Sequence, residues 1–196
     1  MGHLRLAVEA YKRLGLNEVW MLVSPQNPHK SKKDLEDYHL RVEQCQILTK
    51  DHPFIKVSTY EMDKGLYKTT DTLKMLTKQH PDVQFAWLMG CENWTKFHTW
   101  NGWEDIINTV PIVSFYRDEE GSFSIKSPAT NKYKQFRAKA QQKIGQAPEW
   151  RILFMPPHAG RATNIRKDLK SGRTPQHLTD EQLLAIKKRH SFCVGT

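Results

Sequence analysis

The residues best suited to chemistry are cations and hydroxyls placed where the chain turns into helices. His3 stands at the start of a helix predicted from the spacing of Leu4, Ala7, Val8, Tyr11 and Leu14. Free backbone N–H groups and the helix dipole favour phosphate at such a place, and an imidazole adds a hydrogen bond or a charge. A lone histidine there is more often an ordinary polar cap. His29 and Lys30 follow Pro25 and Pro28 in a turn-prone segment. A lysine so placed can act as a point charge on a triphosphate, although the segment alone reads as a solvated basic loop. Thr163 and Arg166 open a predicted helix just after a loop containing Gly160. Backbone N–H groups, a hydroxyl and a guanidinium make a polyphosphate cradle, the plainer alternative being a threonine cap with an exposed arginine. Thr69 and Thr70 precede another helix, so one of them is expected to cap it. Trp100 on its own reads as core, and Arg117 as a surface partner of Asp118 or Glu119.

Those positions require elements to hold them. Short apolar runs at residues 19–23, 54–58, 85–89, 111–116 and 151–155 read as buried strands. Helical patterns fall at residues 4–14, 34–50, 70–79, 106–109, 133–144, 163–171 and 179–189, with Leu35, Tyr38, Val42, Cys45 and Leu48 inward in the second. Residues 117–130 are polar and turn-rich. Alternation of this kind predicts an α/β fold, a doubly wound, Rossmann-like parallel sheet with helices on both faces. No repeat or linker divides residues 1–196, so one domain is expected. Such folds open with a strand and this chain opens with a helix. Met1-Gly2-His3 therefore sits where a strand-to-helix phosphate loop should end, near the place where ligands bind open α/β sheets.

The bulk properties narrow the field. The chain has 196 residues, 38% of them hydrophobic, enough for one ordinary core. The three cysteines form no CxxC pair, which supports neither a zinc site nor a disulfide framework. No apolar run is long enough for a membrane span, the amphipathic start does not fit a signal peptide, and a reducing cytoplasm is the natural location. The net charge of +9 favours anionic partners. Its cations are spread along the chain, with clusters at residues 30–33 and 187–189, which does not describe one nucleic-acid groove. A homo-oligomer is compatible with these features.

An ordered set of motifs resembles the bacterial nicotinate-nucleotide adenylyltransferases of the nucleotidyltransferase superfamily. Gly2-His3 resembles the end of the (H/T)xGH motif, with Met1 in the variable place. Ser24-Pro25-Gln26-Asn27-Pro28-His29-Lys30 resembles the PxxxPPHK loop, and Arg41 follows at the expected distance. Thr69-Thr70-Asp71-Thr72-Leu73 resembles TxDTL, and Met89-Gly90-Cys91-Glu92 resembles the GxD turn after a strand. Trp100 matches the tryptophan segment, residues 113–117 the strand ending in arginine, and Ala162-Thr163-Asn164-Ile165-Arg166 the SSTxIR motif. The matches run in order over nearly the whole chain. Two positions depart: Glu92 replaces the aspartate of GxD, and Arg161 and Ala162 replace the two serines of SSTxIR.

The resemblance implies attack of the phosphate of nicotinate mononucleotide on the α-phosphorus of ATP, giving deamido-NAD and pyrophosphate. ATP would meet Gly2, His3, Lys30, Gly90, Glu92, Arg117, Thr163, Ile165 and Arg166, with His3, Lys30 and Arg166 acting on the transferred group. Thr69 and Trp100 would form the nicotinate pocket, and Trp94 and Trp103 would pack. Mg²⁺ would arrive with ATP, bound by few protein ligands. The fold implied is of the nucleotidyltransferase type, with its first strand and the first histidine or threonine of the motif missing from the chain. A start codon placed too late is the expectation that follows, as is weak activity for a chain beginning at Met1. Related acceptors remain open, nicotinamide mononucleotide or phosphopantetheine, as does a non-catalytic nucleotide- or RNA-binding remnant.

Overall fold

The computed structural model describes residues 2–25, 38–117, 125–155 and 171. The chain divides into two compact units, Met1–Lys64 with His158–Thr196, and Gly65–Pro157.

In the first unit, α1 (Gly2–Leu14) buries Leu4, Ala7 and Ala10, and carries Lys12 and Arg13 in its last turn, where cations suit the helix dipole. Gly15 follows with φ +63, a left-handed residue that ends the helix. β1 (Val19–Leu22) and β2 (Ile55–Ser58) pair in parallel, with Val19 opposite Ile55. Tyr11 of α1 stacks on Phe54, just ahead of β2, with ring centroids 3.9 Å apart. Between the strands in sequence runs α2 (Tyr38–Thr49). Tyr38, Val42, Cys45 and Leu48, expected inward, are half-buried, and Leu35 lies outside the described residues. A single turn, α3 (Tyr60–Asp63), follows β2.

The second unit runs α4 (Thr69–Gln79), β3 (Trp87–Gly90), a 3-10 turn at Cys91–Asn93, α5 (Trp94–Phe97), α6 (Trp103–Thr109), β4 (Ile112–Arg117), α7 (Pro128–Lys132) and β5 (Trp150–Met155). Its three strands are parallel in the order β3-β4-β5. β4 has a neighbour on each side, and Ile112, Val113 and Phe115 are fully buried, as a near-continuous apolar strand between two others demands. Leu73 and Leu76 give α4 its buried face. Trp94 is fully buried, and its indole N–H donates to the Ser114 hydroxyl at 2.9 Å. That hydroxyl in turn donates to the Arg151 carbonyl at 2.9 Å, so the polar atoms among these apolar neighbours are satisfied.

The parallel α/β character agrees with expectation; among the described residues β1 pairs with β2 in the first unit and the second unit holds β3-β4-β5. β1 and β3 each have a single neighbouring strand among the described residues. The long helix expected over residues 133–144 is absent. A 3-10 turn at Lys134–Phe136 is all that forms, because tertiary partners take up the backbone. The indole N–H of Trp150 donates to the Tyr133 carbonyl at 2.7 Å, and the Ala138 N–H donates to the Trp150 carbonyl at 2.9 Å. The guanidinium of Arg151, itself fully buried, donates to the carbonyls of Gln142 and Lys143 and pairs with Glu149. Helix propensity is a weak preference beside such contacts. At the end of the stretch expected to be turns begins α7, which runs on to Lys132 and is opened by a capping box at Ser127 and Thr130 with Pro128 at its first position. The helices expected at residues 163–171 and 179–189 lie outside the described residues, apart from Ser171. No helix among the described residues is long and apolar enough to cross a membrane.

Candidate functional site

Within the first unit, Gly2 and His3 form the first turn of α1, Gly2 half-buried and His3 exposed. That turn carries no acidic side chain of its own. Beyond β1 the chain reaches Ser24 and Pro25, and both are held by α2. Arg41 donates from its guanidinium to the Ser24 carbonyl at 2.6 Å and to the Pro25 carbonyl at 3.1 Å. The same group lies 5.4 Å from the ring centre of Tyr38. Burial, reinforced by the charge of Asp63, pushes the Tyr38 phenol above its ordinary value. Arg41 therefore fixes the chain at the point where the segment containing Lys30 begins. Lys30 itself lies outside the described residues.

In the second unit, two expected residues sit at the carboxyl ends of neighbouring strands. Gly90 closes β3 opposite Phe115, and Arg117 closes β4 opposite Met155, the last residue of β5. This is the edge at which open parallel sheets bind ligands. Glu92 folds its carboxylate back over Gly90, so that a Cβ on Gly90 would collide with it. The extra methylene relative to aspartate makes that curl reachable. Asn93 donates from its side-chain amide to the Gly90 carbonyl at 3.1 Å, and the Thr95 hydroxyl donates to the Glu92 carbonyl at 2.8 Å. The turn after β3 is thus closed by its own neighbours.

Thr69 begins α4 and is half-buried, while Trp100 is half-buried against the core, its ring 5.4 Å from that of Phe97. Their chain neighbours touch. The Thr70 hydroxyl donates to the Asn101 carbonyl at 2.6 Å. Thr69 and Trp100 are thus the chain neighbours of a bonded pair. The contact also corrects an expectation. The residue preceding α4 is Lys68, and neither threonine makes a side-chain cap bond. The Thr70 hydroxyl is engaged across the fold instead. Trp94 is core, as expected, and Trp103 is half-buried with the Lys132 ammonium 5.7 Å from its ring centre.

Thr163, Ile165 and Arg166 lie outside the described residues. The Thr70–Asn101 contact and the glycine beside it have one signal in the sequence, the Asn101-Gly102 pair, a strong turn former.

Comparison with known proteins gives the family and the fold. The cytidylyltransferase-like family model matches residues 1–167. A protein of Agrobacterium fabrum named "Probable nicotinate-nucleotide adenylyltransferase" is 32% identical over 174 residues, 86% of this chain and 92% of its own. A Cereibacter sphaeroides protein of the same name is 36% identical over 156 residues, 79% of this chain and 83% of its own. Among solved structures, the Plasmodium falciparum nicotinic acid mononucleotide adenylyltransferase complexed with NaAD superposes with a TM-score of 0.72 at 16% identity. That superposition covers 98% of this chain and 91% of the other, and it supports the fold. The chain therefore belongs to the cytidylyltransferase-like family, among the bacterial nicotinate-nucleotide adenylyltransferases.

Proposed function

We propose that this protein transfers the adenylyl group of ATP to nicotinate mononucleotide, forming deamido-NAD and releasing pyrophosphate in NAD biosynthesis. The observation that carries the reading is the meeting of α4 with the turn after α5. Thr69 and Trp100 stand 31 residues apart in sequence, as do Thr70 and Asn101, whose bond links the two places. On this reading the Thr69 hydroxyl would meet the carboxylate of nicotinate, and the flat Trp100 indole its electron-poor ring.

The acceptor phosphate is the nucleophile, so no covalent protein intermediate forms. Catalysis consists of alignment and neutralisation of charge. In the first unit, Gly2 and His3 would offer N–H groups and an imidazole to ATP phosphate, with Lys30 as a point charge. Thr163, Ile165 and Arg166 would cradle the triphosphate, hydroxyl and guanidinium donating to its oxygens. In the second unit, Gly90, Glu92 and Arg117 would meet ATP at the carboxyl edge of the sheet, Glu92 uncurling to reach it. Mg²⁺ would arrive with ATP as part of that substrate. The positive chain, at +9, suits two polyanionic substrates. A cytoplasmic location and a single domain over the whole chain complete the reading.

The test is product formation by the protein as its full coding sequence encodes it. ATP and nicotinate mononucleotide should give equal amounts of deamido-NAD and pyrophosphate. Salt-sensitive RNA binding without pyrophosphate release would favour a non-catalytic remnant instead.

A further inference from the structure

Thr70 is the second residue of α4 and is 5% exposed. A threonine at a helix start ordinarily accepts a hydrogen bond from its own helix. Here its hydroxyl is instead 2.6 Å from the Asn101 carbonyl and 3.4 Å from that of Gly102. Gly102 fits against it. With φ +68 the residue is left-handed, and a Cβ built there would lie 2.7 Å from the Thr70 hydroxyl oxygen and 3.0 Å from its methyl carbon. Glycine is required twice over, by conformation and by space.

The turn so gripped begins at Trp100. The Trp100 N–H donates to the Phe97 carbonyl at 3.0 Å, and the Trp100 carbonyl accepts from the Trp103 N–H at 3.1 Å. Both bonds are local to the turn. Beside the apolar core that Leu73 shares with Ile106 and Ile107, two polar side-chain contacts tie it and α6 to α4. One is the Lys74–Asp105 pair at 2.6 Å, with both side chains more than half exposed, a kind of pair that holds weakly. The other is the buried bond from Thr70.

We propose that Thr70 and Gly102 form a latch that determines acceptor affinity, positioning Trp100 for the pyridine ring without acting on ATP. The inference rests on Trp100 belonging to the acceptor pocket. It makes Thr70 a positioning residue, and it separates the roles of two adjacent threonines: Thr69 faces the acceptor, and Thr70 faces the turn that carries its stacking partner.

The test compares Thr70→Val, which keeps the shape and removes the donor, with Thr70→Ser, which keeps the donor. Calorimetric titration with nicotinate mononucleotide and separate KM values for both substrates are the readouts. Thr70→Val should weaken acceptor binding by about tenfold, the scale set by loss of one buried hydrogen bond, with the KM for ATP changed by less than about twofold. Thr70→Ser should restore acceptor binding to within about twofold. Should Thr70→Val not fold, Gly102→Ala reads the same turn and should show the same split between substrates. Equal losses for ATP and acceptor, or no rescue by serine, would overturn the latch. Unchanged acceptor binding in Trp100→Ala would instead sink the pocket reading on which the latch depends.

Discussion

Trp100 and Arg166 offer the sharpest contrast between single side chains. Replacing Trp100 with alanine should raise the KM for nicotinate mononucleotide by about tenfold or more, the loss of one aromatic face, and leave that for ATP nearly unchanged. Arg166→Ala should do the reverse, raising the KM for ATP, because a guanidinium on a triphosphate touches only that substrate. Steady-state kinetics with each substrate varied in turn checks both, and equal effects on the two substrates would count against the assignment. The place of Gly90 and Arg117 at strand ends was legible from the apolar runs before them. Thr70 was not. Its partner is 31 residues away, and nothing in the types of two adjacent threonines says which one turns toward a distant carbonyl. Arg41 was visible by its distance from the basic loop, but its grip on the Ser24 and Pro25 carbonyls is a fact of folding alone.

Elements were most readable where burial repeats along one face. α1 forms where Leu4, Ala7, Val8, Tyr11 and Leu14 predict it, burying Leu4 and Ala7 together with Ala10, and α4 where Leu73 and Leu76 do. The apolar run of β4 reads as a buried strand and is one. The region after Tyr133 misled because its local preference is helical while its backbone partners are distant. Arg151 governs it, with no exposed surface and with Glu149 and two loop carbonyls as acceptors. Arg151→Met should therefore cost about 3–5 kcal/mol, since it leaves Glu149 and those carbonyls without their buried donor. Urea denaturation reads this directly, and a loss below about 1 kcal/mol would show that solvent replaces the guanidinium without penalty.

At the scale of the whole molecule, alternation of strand and helix announced a parallel α/β protein, and all the observed pairings are parallel. The order β3-β4-β5 was not legible, because strand order depends on which edges meet and no local pattern encodes it. The family assignment rests on motifs spread through both units and on relatives that align with most of the chain. What the molecule does with those motifs turns on its acceptor. The most direct measurement is a side-by-side assay of nicotinate mononucleotide, nicotinamide mononucleotide and phosphopantetheine with ATP, followed by pyrophosphate release and product identity. The account predicts deamido-NAD from nicotinate mononucleotide, at a kcat/KM at least about tenfold above either alternative, a gap of about 1.4 kcal/mol in transition-state binding. Equal or greater efficiency with nicotinamide mononucleotide or phosphopantetheine would contradict it.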